Sequence, residues 1–281
     1  MTFNATQFIK AALAEDIGSG DYTSLACIDP DAIGSAKLVI KDTGIIAGVD
    51  LASKIYRQID PDISFEPMAD DGDYVKYGKL IFFVKGRQRS LLKAERLILN
   101  FMQRMSGIAT AANSMVKAVE DFDVVVLDTR KTTPTLRWFE KWAVRIGGAQ
   151  NHRMGLYDMI LIKDNHIDYA GGVANAIKMV KKYLAANKLT RKIEIEARRM
   201  VDVDNILLVG GVDRIMFDNM KLNLIHSCIG KIDGRFETEA SGNITLENVR
   251  DYAETGVNFI SSGSITHSAG ILDLSLKAMK H

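Results

Sequence analysis

The feature that most constrains this chain is a rhythm that begins near residue 124. Short apolar runs at 124–127, 159–162, 193–197, 215–217, 236–240 and 258–260 alternate with helix-like stretches, the signature of parallel strands joined by helices. Each run is followed by a polar cluster: Asp128-Thr129-Arg130-Lys131, Lys163-Asp164-Asn165-His166, Glu196, Asp218-Asn219, Ser241-Gly242-Asn243 and Ser262-Gly263-Ser264. Loops that follow parallel strands open on one face, so these ends gather reactive side chains as the mouth of a barrel does. An open doubly wound sheet obeys the same rule, and strand number favours the barrel. The expected fold is α/β: an incomplete TIM-like α/β barrel with a smaller N-terminal α+β sandwich domain.

The first hundred residues keep a different period. Residues 4–16 read as a helix, capped by Asn4 or Thr6, with Phe8, Ile9, Ala12 and Leu13 at helical spacing and Gly18 ending it. Runs at 36–41, 44–49, 63–68 and 80–84 are β-rich and separated by Gly, Asp and Pro, as in a mostly antiparallel sheet. Residues 72–78 read as a tight turn between strands, and 90–119 as helical with a break at Gly107. The tail at 272–276 alternates apolar and polar residues, a strand able to return to this sheet. The expected division is 1–110 with 270–281 returning to it, and a catalytic barrel over 111–269.

Composition narrows the function classes. A chain of 281 residues, 47% apolar and 25% charged, can bury a barrel-sized core and a smaller partner domain. Its apolar runs are far too short to cross a bilayer, and the N-terminus lacks a secretory layout. Cys27 and Cys228 lie far apart with no metal-ligand spacing, which fits a reducing, cytoplasmic setting. Net charge is +1, yet the window 128–166 alone carries +3, from Arg130, Lys131, Arg137, Lys141, Arg145, Arg153 and Lys163 against four acids. Nucleic-acid binders spread a larger surplus over a broad face; this local one suits a small, highly anionic ligand.

That window, DTRKTTPTLRWFEKWAVRIGGAQNHRMGLYDMILIKDNHI, resembles the central signature of the quinolinate phosphoribosyltransferases. Ordered matches continue at Glu15 to Gly18, Gly20-Asp21, Ala94-Glu95-Arg96, Leu99-Asn100, Ser106 to Thr110, Glu194-Ile195-Glu196, Met216 to Met220, Glu239 to Gly242 and Gly263 to Ser268. The resemblance implies transfer of phosphoribosyl from phosphoribosyl pyrophosphate to quinolinate with decarboxylation. The products are nicotinate mononucleotide, pyrophosphate and CO2, a step of de novo NAD biosynthesis. It also implies that Arg96 reaches the ligand from the neighbouring subunit of a homodimer or larger assembly with a shared active site.

Such a reaction sets clear demands. Two carboxylates on the pyridine call for guanidinium clamps, for which Arg130 and Arg153 are placed, with Lys163 adding a point charge. Gly242 and Gly263, with hydroxyl neighbours such as Ser241, resemble the phosphate cradle of barrels. Lys131 and His152 suit the pyrophosphate, and His267 is a further substrate-binding candidate. Glu196 and Asp218, each closing a strand, suit Mg2+, which prefers oxygen ligands. The pyridine nitrogen is itself the nucleophile, so catalysis reduces to positioning and electrostatics.

Blander roles stand beside these. Arg96 beside Glu95 suits an ordinary helix-surface ion pair; His166 suits a residue that orients its neighbours. Asp16 and Asp21 suit caps or turns, Trp138 and Trp142 packing, and Met102 and Met105 core filling. Glu194 and Glu196 share one strand face, so cations or a metal must lie near them. Thr135, Ile146, Ala149 and Asn243 depart from the family's usual residues, the last in the phosphate loop. Rival readings are an aldolase-like enzyme using Lys163 as a Schiff-base nucleophile, a relative acting on another base, and a non-enzymatic nucleotide-binding regulator.

Overall fold

The computed structural model describes residues 4–279, so residues 1–3, 280 and 281 of the expected terminal segments lie outside the described residues. Its elements run α1 (Ala5–Ile17), α2 (Tyr22–Cys27), β1 (Ile33–Ile40), β2 (Gly44–Ile45), α3 (Val49–Ile59), β3 (Ser64–Pro67), β4 (Tyr74–Val75), β5 (Leu80–Arg87) and α4 (Gln88–Ala118). There follow β6 (Val125–Leu127), α5 (Arg137–Ile146), β7 (Ile160–Ile162), α6 (Asp164–Tyr169), α7 (Val173–Ala186), β8 (Ile193–Ala197) and α8 (Met200–Val209). The chain continues through β9 (Arg214–Asp218), α9 (Leu222–Ile232), β10 (Glu237–Ser241), α10 (Val249–Ala253), β11 (Phe259–Ser261), α11 (Ser264–His267) and β12 (Leu274–Ala278). Two compact units result. One takes the chain up to Asn113 with Trp138–Gly148 and the stretch from Ala269 on; the other takes Ser114–Arg137 and Ala149–Ser268.

In the first unit an antiparallel sheet runs β12-β1-β5-β3, the tail strand pairing with β1 through Leu276 opposite Leu38. Alternate residues of β1 are buried, and α3 sets Tyr56 edge-on to Phe82 of β5 with centroids 6.2 Å apart. Asn4 caps α1 by accepting from the Gln7 N–H, and Asp21 caps α2 by accepting from that of Ser24. The expected turn at 72–78 contains a short strand, β4, paired with β2. The expected break at Gly107 is absent: α4 runs unbroken through it. A Cβ there would lie 2.0 Å from the Gly270 carbonyl oxygen, so this glycine serves a close backbone approach rather than a helix end. Residues 138–148, placed by the sequence rhythm with the barrel, supply Phe139 to an aromatic cluster with Phe8 and Phe101, at 4.9 and 4.7 Å.

The second unit holds six parallel strands in the order β6-β11-β10-β9-β8-β7. Chain neighbours pair from β7 to β11, and β11 then pairs with β6, the circular order of a barrel opened between β6 and β7. Those two edges are not paired with each other among the described residues; a bridge from Leu127 to Gln150 lies at the opening. Register divides the faces, because paired residues of parallel strands point the same way. One face carries Ile162, Ile195, Phe217, Ala240 and Ile260; the other carries Glu194, Glu196, Arg214, Asp218, Glu239, Ser241 and Ser261. Apolar burial thus anchors each strand and leaves its opposite face for charge.

Candidate active site

The loop after β6 is built to project cations. Asp128 is buried and accepts the His152 N–H at 2.8 Å, which lays the segment bearing His152 and Arg153 beside the end of β6. Arg137 brackets both segments: Nε donates to Thr132 Oγ1 at 3.0 Å, Nη1 to the Met154 carbonyl at 3.1 Å and Nη2 to the Arg130 carbonyl at 3.4 Å. Thr266 Oγ1 donates to the Lys131 carbonyl at 2.9 Å, tying this loop to the end of β11. Asp158 accepts the Met154 and Gly155 N–H groups, and Arg153 Nη1 reaches the Met159 carbonyl at 3.3 Å. Burial, then the charge of Arg130, holds Arg153 below the usual guanidinium range. Two guanidinium groups crowded in this way are electrostatically poised for a multiply charged anion.

The acids stand at the neighbouring strand ends. Lys163 Nζ meets Glu196 Oε1 at 2.7 Å, and Glu196 Oε2 accepts the Asp164 N–H at 3.0 Å. Asp218 Oδ1 accepts from Asn219 Nδ2 at 3.0 Å, and burial followed by the Glu196 charge pushes its pKa up. The pair offers oxygen ligands only and repels itself, the donor set and electrostatics that suit Mg2+. His166 Nδ1 accepts the Lys163 N–H at 2.9 Å, an orienting role.

Gly242 has φ +99°, and a Cβ on it would lie 2.4 Å from the Asn219 side chain. Glycine is therefore required twice over at this turn. Asn243 and Asn219 both have φ +52°, a region asparagine tolerates, and Asn243 Nδ2 donates to Asn219 Oδ1 at 2.9 Å. The departure at 243 thus keeps the turn and adds a side-chain support for Asn219. Ser262 Oγ donates to the Ile244 carbonyl at 2.6 Å, joining the loops after β10 and β11.

Beneath these loops lies a buried charge network. His152 Nε2 lies 2.9 Å from Glu194 Oε2 and 3.5 Å from Glu239 Oε2, and Arg214 Nη1 meets Glu239 Oε2 at 2.8 Å. Burial raises Glu194 to about 6 and, with the Glu194 charge beside it, Glu239 to about 7. The ligand atoms of His152, Glu194 and Glu239 lie within 4.8 Å of one another, but Arg214 already supplies a cation there. This trio is an ion-pair network rather than a metal centre.

All this opens into a cavity of about 510 Å³. Every site residue singled out in the sequence lines it except Arg96, which lies exposed on α4 in the first unit. Trp138 and Trp142 pack edge to face at 5.2 Å. The sequence reading singled out neither Arg137, counted only as one charge of the basic window, nor Arg214 and Asn219. Arg214 carried a usable signal, since it shares strand parity with Asp218. No helix among the described residues is long and apolar enough to cross a membrane.

A cavity at the carboxyl ends of parallel strands, ringed by cations and closed by glycine turns, defines an α/β enzyme that handles phosphates. Family models described as the quinolinate phosphoribosyl transferase N-terminal and C-terminal domains match residues 21–106 and 108–277, so the chain belongs to the quinolinate phosphoribosyltransferase family. It is similar to a chloroplastic nicotinate-nucleotide pyrophosphorylase [carboxylating] of Arabidopsis thaliana, 46% identical over 98% of this chain and 83% of that protein. A probable nicotinate-nucleotide pyrophosphorylase [carboxylating] of Bacillus subtilis is 39% identical over 93% and 89% of the two chains. Among solved structures, NadC from Streptococcus pyogenes superposes with a TM-score of 0.91 at 38% identity, covering 100% of both chains.

Proposed function

We propose that this protein transfers phosphoribosyl from phosphoribosyl pyrophosphate to quinolinate, with loss of pyrophosphate and CO2, giving nicotinate mononucleotide for NAD synthesis. The observation that carries the reading is the convergence of Arg130, Lys131, Arg153 and Lys163 on one cavity with the Glu196–Asp218 pair. The guanidinium groups bind the two carboxylates, and Lys163 adds a third positive charge. Gly242, Gly263, Ser241 and His267 take the 5-phosphate end, while Lys131 faces the pyrophosphate. Glu196 and Asp218 would hold Mg2+, which when bound would neutralise charge on the leaving phosphates.

With both substrates oriented, the pyridine nitrogen attacks the anomeric carbon as the bond to pyrophosphate breaks. The quaternised ring then accepts the electron pair of the departing carboxylate, and the ring carbon left behind takes a proton. Fixed cations stabilise the leaving oxygens without a protein nucleophile. Lys163 Nζ is held by Glu196 Oε1 at 2.7 Å, an ion pair that an aldolase-type Schiff base on this lysine would have to break. In this reading the protein is cytoplasmic and assembles as a dimer or larger oligomer, with Arg96 completing the partner's dicarboxylate site.

The test is incubation with quinolinate, phosphoribosyl pyrophosphate and Mg2+, following nicotinate mononucleotide. Activity is expected to vanish with a chelator and to fall about 10²- to 10³-fold for Arg130→Ala or Lys163→Ala, the range for loss of a preorganised electrostatic group. Full activity in either variant refutes the placement of the dicarboxylate.

A further inference from the structure

His152 lines the cavity, yet both its ring nitrogens are directed at protein groups. Nδ1 accepts the Arg153 backbone N–H at 2.7 Å, which leaves the ring proton on Nε2. Nε2 in turn lies 2.9 Å from Glu194 Oε2 and 3.5 Å from Glu239 Oε2. Glu239 does not hang free: Arg214 Nη1 donates to its Oε2 at 2.8 Å. Arg214 is itself fixed, with Nη2 3.1 Å from Glu237 Oε2 and its guanidinium carbon 3.6 Å from the centre of the Phe259 ring. Neither Glu239 nor Arg214 lines the cavity, and Glu239 is fully buried.

We propose that Glu239 and Arg214 are positioning residues for substrate recognition: acting through His152, they fix the backbone of Arg153 and so the angle at which its guanidinium meets the dicarboxylate. This rests on the assignment of Arg153 to the dicarboxylate made above. The two buried carboxylates 2.9 and 3.5 Å from Nε2 favour this ring orientation electrostatically, and with it the hold of Nδ1 on the Arg153 N–H. Bidentate guanidinium–carboxylate pairing depends on angle as well as distance, and small displacements of a positioning group carry large kinetic costs. The network is rigid for a stated reason. Its cation is stacked on the Phe259 ring and paired with two carboxylates on the neighbouring strand, so three contacts hold Arg214 in one place.

A positioning role predicts an asymmetric defect, whereas a general packing role predicts a symmetric one. Steady-state kinetics of Glu239→Gln and Arg214→Met should show KM for quinolinate raised about tenfold, with KM for phosphoribosyl pyrophosphate within about twofold of the parent. Arg214→Lys, which keeps one donor to Glu239, should recover most of the loss. In ¹⁵N spectra the His152 ring of Glu239→Gln should leave the single tautomer with the proton on Nε2. Equal changes in both KM values, or no change in either, overturn the proposal. Arg153→Ala separates the two assignments. If it leaves KM for quinolinate unchanged, the dicarboxylate reading fails and takes this one with it; if it raises KM while Glu239→Gln does not, only the positioning role falls.

Discussion

Gly242 puts the demands of the site on a single atom. Its φ of +99° is costly for any residue with a Cβ, and that Cβ would also lie 2.4 Å from the Asn219 side chain. Asn219 is not free to retreat, because it donates to Asp218 Oδ1 at 3.0 Å and accepts from Asn243 at 2.9 Å. Gly242→Ala therefore strains the turn by about 1–3 kcal/mol and displaces the carboxylate that would hold metal. The expected outcome is a higher KM for phosphoribosyl pyrophosphate and a higher Mg2+ requirement, with KM for quinolinate little changed; titrating each substrate and the metal separately measures this. Unchanged kinetics would mean that the phosphate end of the ligand lies elsewhere in the cavity.

At the scale of elements, β8 and β10 each place a buried glutamate on the charged face of the sheet, Glu194 and Glu239. Both carboxyls titrate above the ordinary 4.5, at about 6 and about 7, because burial penalises the ion. Below about 4.5 both are protonated in the folded and unfolded chains alike, and they leave stability unaffected. As pH rises through about 7 the folded protein must surrender protons that it binds more tightly than the unfolded chain does, so these two groups lower stability across that window. Melting temperature should accordingly lose ground between about pH 5 and 8, and Glu239→Gln should flatten that slope; an unaltered slope sinks the assignment. The strands that bear these residues were legible because isoleucine-rich runs with polar ends leave few alternatives. What sequence left open was partnership across strands. Arg214 meets Glu237 and Glu239, 23 and 25 residues away, only through the register of β9 with β10. Gly107 was misread for a similar reason: its local pattern suggests a helix break, and the carbonyl of Gly270 that explains it lies far along the chain. Residues 138–148 likewise look like one more barrel helix until Phe139 is seen among Phe8 and Phe101.

For the whole molecule, Arg96 is the residue that tests assembly. It is exposed on α4, does not line the cavity of the second unit, and belongs to a stretch that resembles the family. If it serves the partner's site, each active site draws on two chains, and two different defects can be complemented. Arg96→Ala and Lys163→Ala proteins, each nearly inactive alone, would be mixed, dissociated in mild denaturant and reassembled. In a mixed dimer one site collects both lesions and the other collects none. Random pairing makes half the dimers mixed, so recovered activity should reach about a quarter of the parent's. A site built from one chain would give no recovery, since every site would still carry one lesion. Recovery should also fall on dilution below the dimer dissociation constant, because the intact site exists only while the two chains are together.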